Sequence, residues 1–270
     1  MKSLDIIIRT HDKSNISKFP RFISVSKREL IEGCMTSLIN SANQCKNKIN
    51  IIVLDDHSSQ EFLHNLHNIL KTSRHSIKII SLEEGGPNQS ALSQFEYCKN
   101  STADLVYSVE DDYLHCTEAI QEMLFTYGYL KSYYHLQKDL CLFPFDNRED
   151  YEYTFVIPGR LFRTPTRHWK EGIWTTFTMM TTPKVFQDHW EVFEKLASKY
   201  TPWNGIDPIK ELVHEGNTIS NIWEHYVTRV NPVPSLALHI QFEKQRDPHI
   251  NHLEWWDKYS KIKSFGVTYD

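Results

Sequence analysis

Hydrophobic and polar positions in the first half of the chain switch between two periods. Leu4 to Arg9 is an apolar run of strand character. Leu30, Ile31, Cys34, Met35, Leu38, Ile39 and Ala42 then recur at steps of three and four, which places them on one face of a helix. The same logic predicts a second strand in INIIVLDDHSS, a helix over 61–70, a third strand in SIKIISL and a helix over 90–99 with Ala91, Leu92, Phe95 and Cys98 inward. Asn88 or Ser90 is expected to cap that last helix. A fourth strand covers Leu105 to Val109. Repeated strand and helix alternation implies right-handed crossovers, and so an α/β fold with a mainly parallel, Rossmann-like sheet covered by helices on both faces. Ligands of such sheets lie outside the carboxyl ends of the strands. Arg9, Thr10 and His11, then Asp55 and Asp56, then Glu83 to Pro87, then Glu110 to Asp112 should therefore share one edge.

The second half is less regular. Ile120, Met123, Leu124, Tyr127 and Leu130 mark a helix, and GIWTTFTMMTTP reads as a β segment followed by one proline-started helix with Val185, Phe186, Trp190, Phe193 and Leu196 buried. Another helix is expected near 219–227. No internal repeat or low-complexity linker interrupts the chain, so residues 1–120 and 121–270 are read as two halves of a single domain.

With 270 residues and 40% hydrophobic content the chain can bury a full core. A formal charge of −4 gives no general attraction to nucleic acid or anionic membrane, so no nucleic-acid partner is expected. The five cysteines lack paired metal spacing, which fits reduced thiols in a cytoplasmic setting. No apolar stretch approaches a membrane-spanning length.

The feature that most needs explaining is LVYSVEDDYLH, where a buried-looking strand runs into three consecutive carboxylates. Glu110, Asp111 and Asp112 repel one another and require water or a counter-charge, such as a metal ion. Neither a glycine-rich dinucleotide fingerprint nor a phosphate-binding loop is present.

In pattern and order, DIIIRTHDKS, NIIVLDDHSS and ADLVYSVEDDYL resemble the nucleotide-sugar glycosyltransferases of the A-type fold (GT-A, family-2-like), with a Glu-Asp-Asp variant of their DxD motif. The resemblance covers the first 120 residues. It implies a metal-dependent glycosyltransferase moving a sugar from a nucleoside-diphosphate donor, UDP-sugar favoured, to a glycan or lipid-linked acceptor, with Mn²⁺ or Mg²⁺ as cofactor. Carried onto this chain, it implies that Arg9 and Thr10 line the base and ribose, and that Asp56 accepts a hydrogen bond from the base. Asp111 would contact ribose or metal-bound water, while Asp112 and the late His239 would ligate the metal. Glu224 would be the general base of an inverting reaction, with Asp207 and Asp188 as alternatives. Lys244 and Arg246 could close over the phosphates. Trp169, Trp174, Trp203, Trp223, Trp255 and Trp256, all in the second half, offer faces for acceptor sugars. Two other readings compete: a nucleotidyltransferase of related fold, disfavoured because RTHDKS lacks glycines, and a non-catalytic glycan- or nucleotide-binding module.

Overall fold

The computed structural model describes residues 2–13, 21–148, 151, 159–172, 176–199, 227–241 and 246–261. Its first four strands are those the apolar runs predict: β1 (Leu4–Thr10), β2 (Ile49–Asp55), β3 (Ser76–Ser81) and β4 (Leu105–Val109). Between them lie α1 (Lys27–Ala42), α2 (Gln60–Leu70) and α3 (Pro87–Asn100). Parallel pairing of β1 with both β2 and β4, and of β2 with β3, follows from the helical crossovers.

Helix starts follow local chemistry. Ser26 Oγ accepts from the Glu29 N–H at 3.2 Å while the Glu29 carboxylate accepts from the Ser26 N–H at 2.8 Å, a reciprocal cap for α1. Neither Asn88 nor Ser90 caps α3. Gly86 occupies the cap at φ 107°, with Pro87 as the first helical residue, so the chain enters by a backbone conformation that only glycine adopts readily.

The rest of the described chain comprises β5 (Tyr113–His115), α4 (Ala119–Tyr133), β6 (Asp139–Leu142), β7 (Leu161–Arg163), β8 (His168–Glu171), β9 (Met179–Thr181), α5 (Pro183–Asp188), α6 (Trp190–Lys199), β10 (Val227–Val233), β11 (Ala237–His239) and α7 (His252–Tyr259). Nine strands form one sheet in the order β3-β2-β1-β4-β9-β6-β10-β8-β7. The pairings leave only β9 and β8 reversed, so the sheet is mainly parallel. One apolar layer fills the face under α1, α2 and α4, and the other lies under α3, α5 and α6. Two further expectations need correction. The single proline-started helix is two, because the chain breaks at His189 between α5 and α6. Val227 opens a strand rather than closing a helix, and 219–226 lie outside the described residues.

A separate two-stranded sheet pairs β11 with β5 antiparallel and sets His239 opposite Tyr113. This small pairing carries the late histidine back to the acidic triplet, because β5 begins one residue after Asp112.

Candidate active site

Every carboxylate of the triplet faces its own basic side chain. Arg9 Nη2 donates to Glu110 Oε1 at 2.7 Å, and Lys27 Nζ donates to Asp111 Oδ1 at 2.6 Å. The third pair is His239 Nε2 with Asp112 Oδ1 at 3.4 Å. His11 N–H adds a bond to Asp111 Oδ2 at 3.2 Å, and Gln241 Nε2 one to Asp112 Oδ2 at 3.1 Å. The crowding that seemed to call for a metal is thus relieved first by protein side chains, from β1, the first turn of α1 and β11.

Burial and charge act against each other here. Burial pushes the Glu110 carboxyl up, and Arg9 offsets only part of this, so its pKa stays above the ordinary carboxylate value. For Asp112 burial also pushes upward, but His239, Lys27 and the Gln241 hydrogen bond together outweigh it and hold the group below the usual range. His239 responds in kind: burial lowers it, and the Asp112 charge and contact, joined by the Glu110 charge, together more than reverse this. Its ring stacks on Tyr113 at 4.5 Å with planes 11° apart, which fixes the direction of Nε2.

Asp112 Oδ1 and His239 Nε2 are both buried and lack a hydrogen-bond partner. Two ligands on adjacent positions of an octahedral cation, each about 2.1 Å from it, stand about 3 Å apart, near the observed separation. The atoms present therefore fit a divalent cation, and a mixed carboxylate and imidazole set suits Mn²⁺ better than Mg²⁺. Among the described residues no cluster of three or more His, Cys, Asp or Glu could hold an ion by itself, so the remaining ligands would come from water or substrate.

Beside this pair lies a second polar wall. Asp56 is buried, and its carboxylate accepts from the Gly86 N–H at 2.9 and 3.2 Å, while His57 Nδ1 lies 3.1 Å from Oδ1. His57 sits at φ 57°, a left-handed turn that lets the chain leave β2 sharply. Gly85 permits the close approach, since a Cβ there would be 2.8 Å from Asp56 Oδ1. The Asp56 N–H donates to the Thr10 carbonyl at 2.9 Å, tying the two strand ends together. Thr10 Oγ1 is buried without a partner. An ionised carboxylate has about four acceptor positions, so Asp56 keeps capacity for a ligand donor.

The structure thus brings together Arg9, Thr10, Asp56, Asp111, Asp112 and His239 on one edge, although the Arg9 guanidinium is engaged by Glu110. Asp188 is not among them and pairs with Lys184 on the exposed side of α5. Trp169 is a fully buried core residue, Trp256 packs on Gly33 of α1, and Arg246 lies over Phe22 and donates to His252. Glu224, Asp207, Lys244, Trp174, Trp203 and Trp223 lie outside the described residues. Sequence reasoning missed Lys27 and Gln241. Lys27 leaves one trace, because a cation in the first turn of a helix opposes the helix dipole and calls for a nearby acid.

No family model matches the sequence, and no curated protein matches it. Solved structures do. GalNAc-T7 with UDP, GalNAc and Mn²⁺ aligns with 96% of this chain and 50% of its own, at 15% identity and a TM-score of 0.54. TarS 1–349 of S. aureus aligns with 86% of this chain and 60% of its own, at 14% identity and a TM-score of 0.47. For an active-site mutant of LgtC the corresponding values are 83%, 72%, 11% and 0.48. The chain therefore spans 60% of TarS 1–349 and half of GalNAc-T7. The GalNAc-T7 likeness establishes the fold as that of the A-type glycosyltransferases.

Proposed function

We propose that this chain is a metal-dependent glycosyltransferase that moves a sugar from a nucleoside-diphosphate donor, UDP-sugar favoured, to a glycan or lipid-linked acceptor. The observation that carries the reading is the buried Asp112–His239 pair, whose facing atoms lack hydrogen bonds and which shares a strand-end edge with Asp56 and Thr10. Asp112 and His239 would hold the cation. That ion would supply positive charge to a departing diphosphate.

The chain's own groups divide the remaining work. Asp56, fixed by Gly86 and His57, accepts from a base imide N–H, and Thr10 Oγ1 bonds the base or ribose. Asp111, clamped by Lys27 and the His11 N–H, faces ribose or metal-bound water. Arg9 serves through Glu110, whose carboxylate it pairs with at the end of β4. Residues 1–120 form the donor half and 121–270 the acceptor half. Glu224, with Asp207 as alternative, takes the acceptor proton in an inverting reaction.

Calorimetry of UDP binding, together with UDP release from a panel of UDP-sugars, tests this reading. Affinity should fall at least tenfold, about 1.4 kcal/mol, when EDTA replaces Mn²⁺, and Asp112→Asn should abolish the difference. Equal affinity in both conditions removes the cation from the site. Failure of every nucleotide to bind overturns the whole assignment.

A further inference from the structure

A cavity of about 350 Å³ opens between α1, α2 and α7. Its volume falls in the range of small-molecule sites, about 300–1,000 Å³. The wall given by α1 begins at Glu29, two residues after Lys27 and so on the opposite side of the helix from the ammonium that holds Asp111. Helix α1 therefore stands between this cavity and the donor edge.

The lining mixes apolar surface with planar polar groups. Gly33 is required where α7 packs down, since a Cβ there would lie 2.6 Å from the Trp256 indole, and that indole joins Ile69 as the apolar part of the wall. Asn65 Nδ2 donates to Glu32 Oε1 at 3.0 Å, which ties α2 to α1 and leaves the Asn65 carbonyl and the second Glu32 oxygen to accept from other groups. Asn68 is exposed beside them. Thr36 is the most informative member. It is only 4% exposed, and no residue bonds its hydroxyl. A helical threonine can return its hydroxyl to a carbonyl one turn back. Here that bond is absent, and a buried donor and acceptor lines the cavity instead.

The chemistry selects the occupant. Glu29 and Glu32 line the cavity while no Lys, Arg or His does, so phosphates, uronates and other anions are excluded. An organic cation would use the carboxylates and leave the Asn68 amide and the Thr36 hydroxyl idle. Sugar hydroxyls both donate and accept, so they can use all four groups, and the C–H face of a pyranose matches the indole. We propose that this cavity binds an uncharged pyranose residue of a glycan, at a place separate from the site of sugar transfer. The assignment does not depend on the donor reading.

Saturation-transfer NMR on the full chain tests it, with the methyl glycosides of glucose, galactose, mannose and N-acetylglucosamine as probes and methyl glucuronide and tetramethylammonium as charged controls. At least one neutral glycoside should receive saturation at millimolar concentration without UDP or Mn²⁺, and neither control should. Thr36→Val keeps the side-chain shape and deletes the hydroxyl, so it should weaken that binding about tenfold, and Asn68→Ala about threefold, with UDP affinity unchanged in both. Because Asn68 is exposed, its variant carries the test alone should Thr36→Val alter the circular dichroism spectrum. Absence of saturation for every neutral glycoside, or equal binding by the folded variants, overturns the proposal. So does a tighter grip on tetramethylammonium, which would assign the cavity to a cation, or glycoside binding that appears only with UDP and Mn²⁺, which would place the sugar in the transfer site.

Discussion

Arg9→Met removes the cation that faces Glu110 and so tests whether protein side chains, rather than a metal, neutralise the acidic triplet. The pair is 2.7 Å long, with 14% of the Arg9 side chain and 16% of the Glu110 side chain exposed. Breaking a buried ion pair from one side costs about 3–5 kcal/mol, because the other charge stays buried and unpaired. Residual exposure lets water relieve part of this, so the single change should cost about 2–4 kcal/mol. Glu110→Gln keeps an acceptor for the guanidinium and should cost about 1–2 kcal/mol. In the double variant neither charge remains, and the loss should be no larger than that of Arg9→Met alone, which gives a coupling energy of at least about 1–2 kcal/mol. Urea unfolding followed by circular dichroism, with EDTA throughout, measures all four corners of the cycle. Single losses that add to within about 0.5 kcal/mol would refute the pairing. A repeat in Mn²⁺ sharpens the test, because an ion acting as the natural counter-charge of Glu110 would rescue Arg9→Met selectively.

Two further predictions concern groups that support the site. His115 is buried with Nε2 at 2.8 Å from the Tyr107 hydroxyl and Nδ1 at 3.0 Å from the Tyr113 carbonyl, and burial pushes its pKa down to about 3. The unfolded chain binds the proton more readily, so this residue's contribution to stability is full above about pH 6.5 and is lost progressively toward pH 3. It should account for about 2 kcal/mol between pH 7.5 and pH 5, and His115→Gln should flatten the pH dependence of urea unfolding by that amount. An unchanged slope would refute a neutral buried imidazole. Gly85→Ala places a methyl 2.8 Å from Asp56 Oδ1 and 3.0 Å from His57 Nδ1, so it should weaken UDP binding in calorimetry by about 1–2 kcal/mol while pyrophosphate binding is unchanged. Equal losses for both ligands would mean that Asp56 does not contact the base.

Most of the parallel half of the sheet was legible because central strands buried on both faces appear as continuous apolar runs, and LVYSV is buried at every position, although β3 at the edge is not. Its carboxyl edge followed directly, which is how Thr10, Asp56 and the triplet were found. The antiparallel insertion of β9 between β4 and β6 was not legible: MMT is three residues long, and its partner is distant in sequence. The charge pairing was hidden for the same reason. Lys27 and Asp111 are 84 residues apart, Arg9 and Glu110 101, and Gln241 and Asp112 129. An acid's local sequence does not disclose partners that only the tertiary fold delivers.

That pairing also distinguishes the three carboxylates of the triplet. A guanidinium and an ammonium stay charged at neutral pH and offer no lone pair, so Arg9 and Lys27 can neutralise Glu110 and Asp111 but cannot join them in holding an ion. An imidazole can do both, as a cation beside Asp112 or, once deprotonated, as a ligand next to it. The three carboxylates therefore differ in kind despite their adjacency. Glu110 is tied to β1, Asp111 is tied to α1, and only Asp112 faces a partner with coordinating capacity. Ile8 pairs with Val109, so Arg9 and Glu110 follow side by side at the ends of neighbouring strands, where the guanidinium meets the carboxylate.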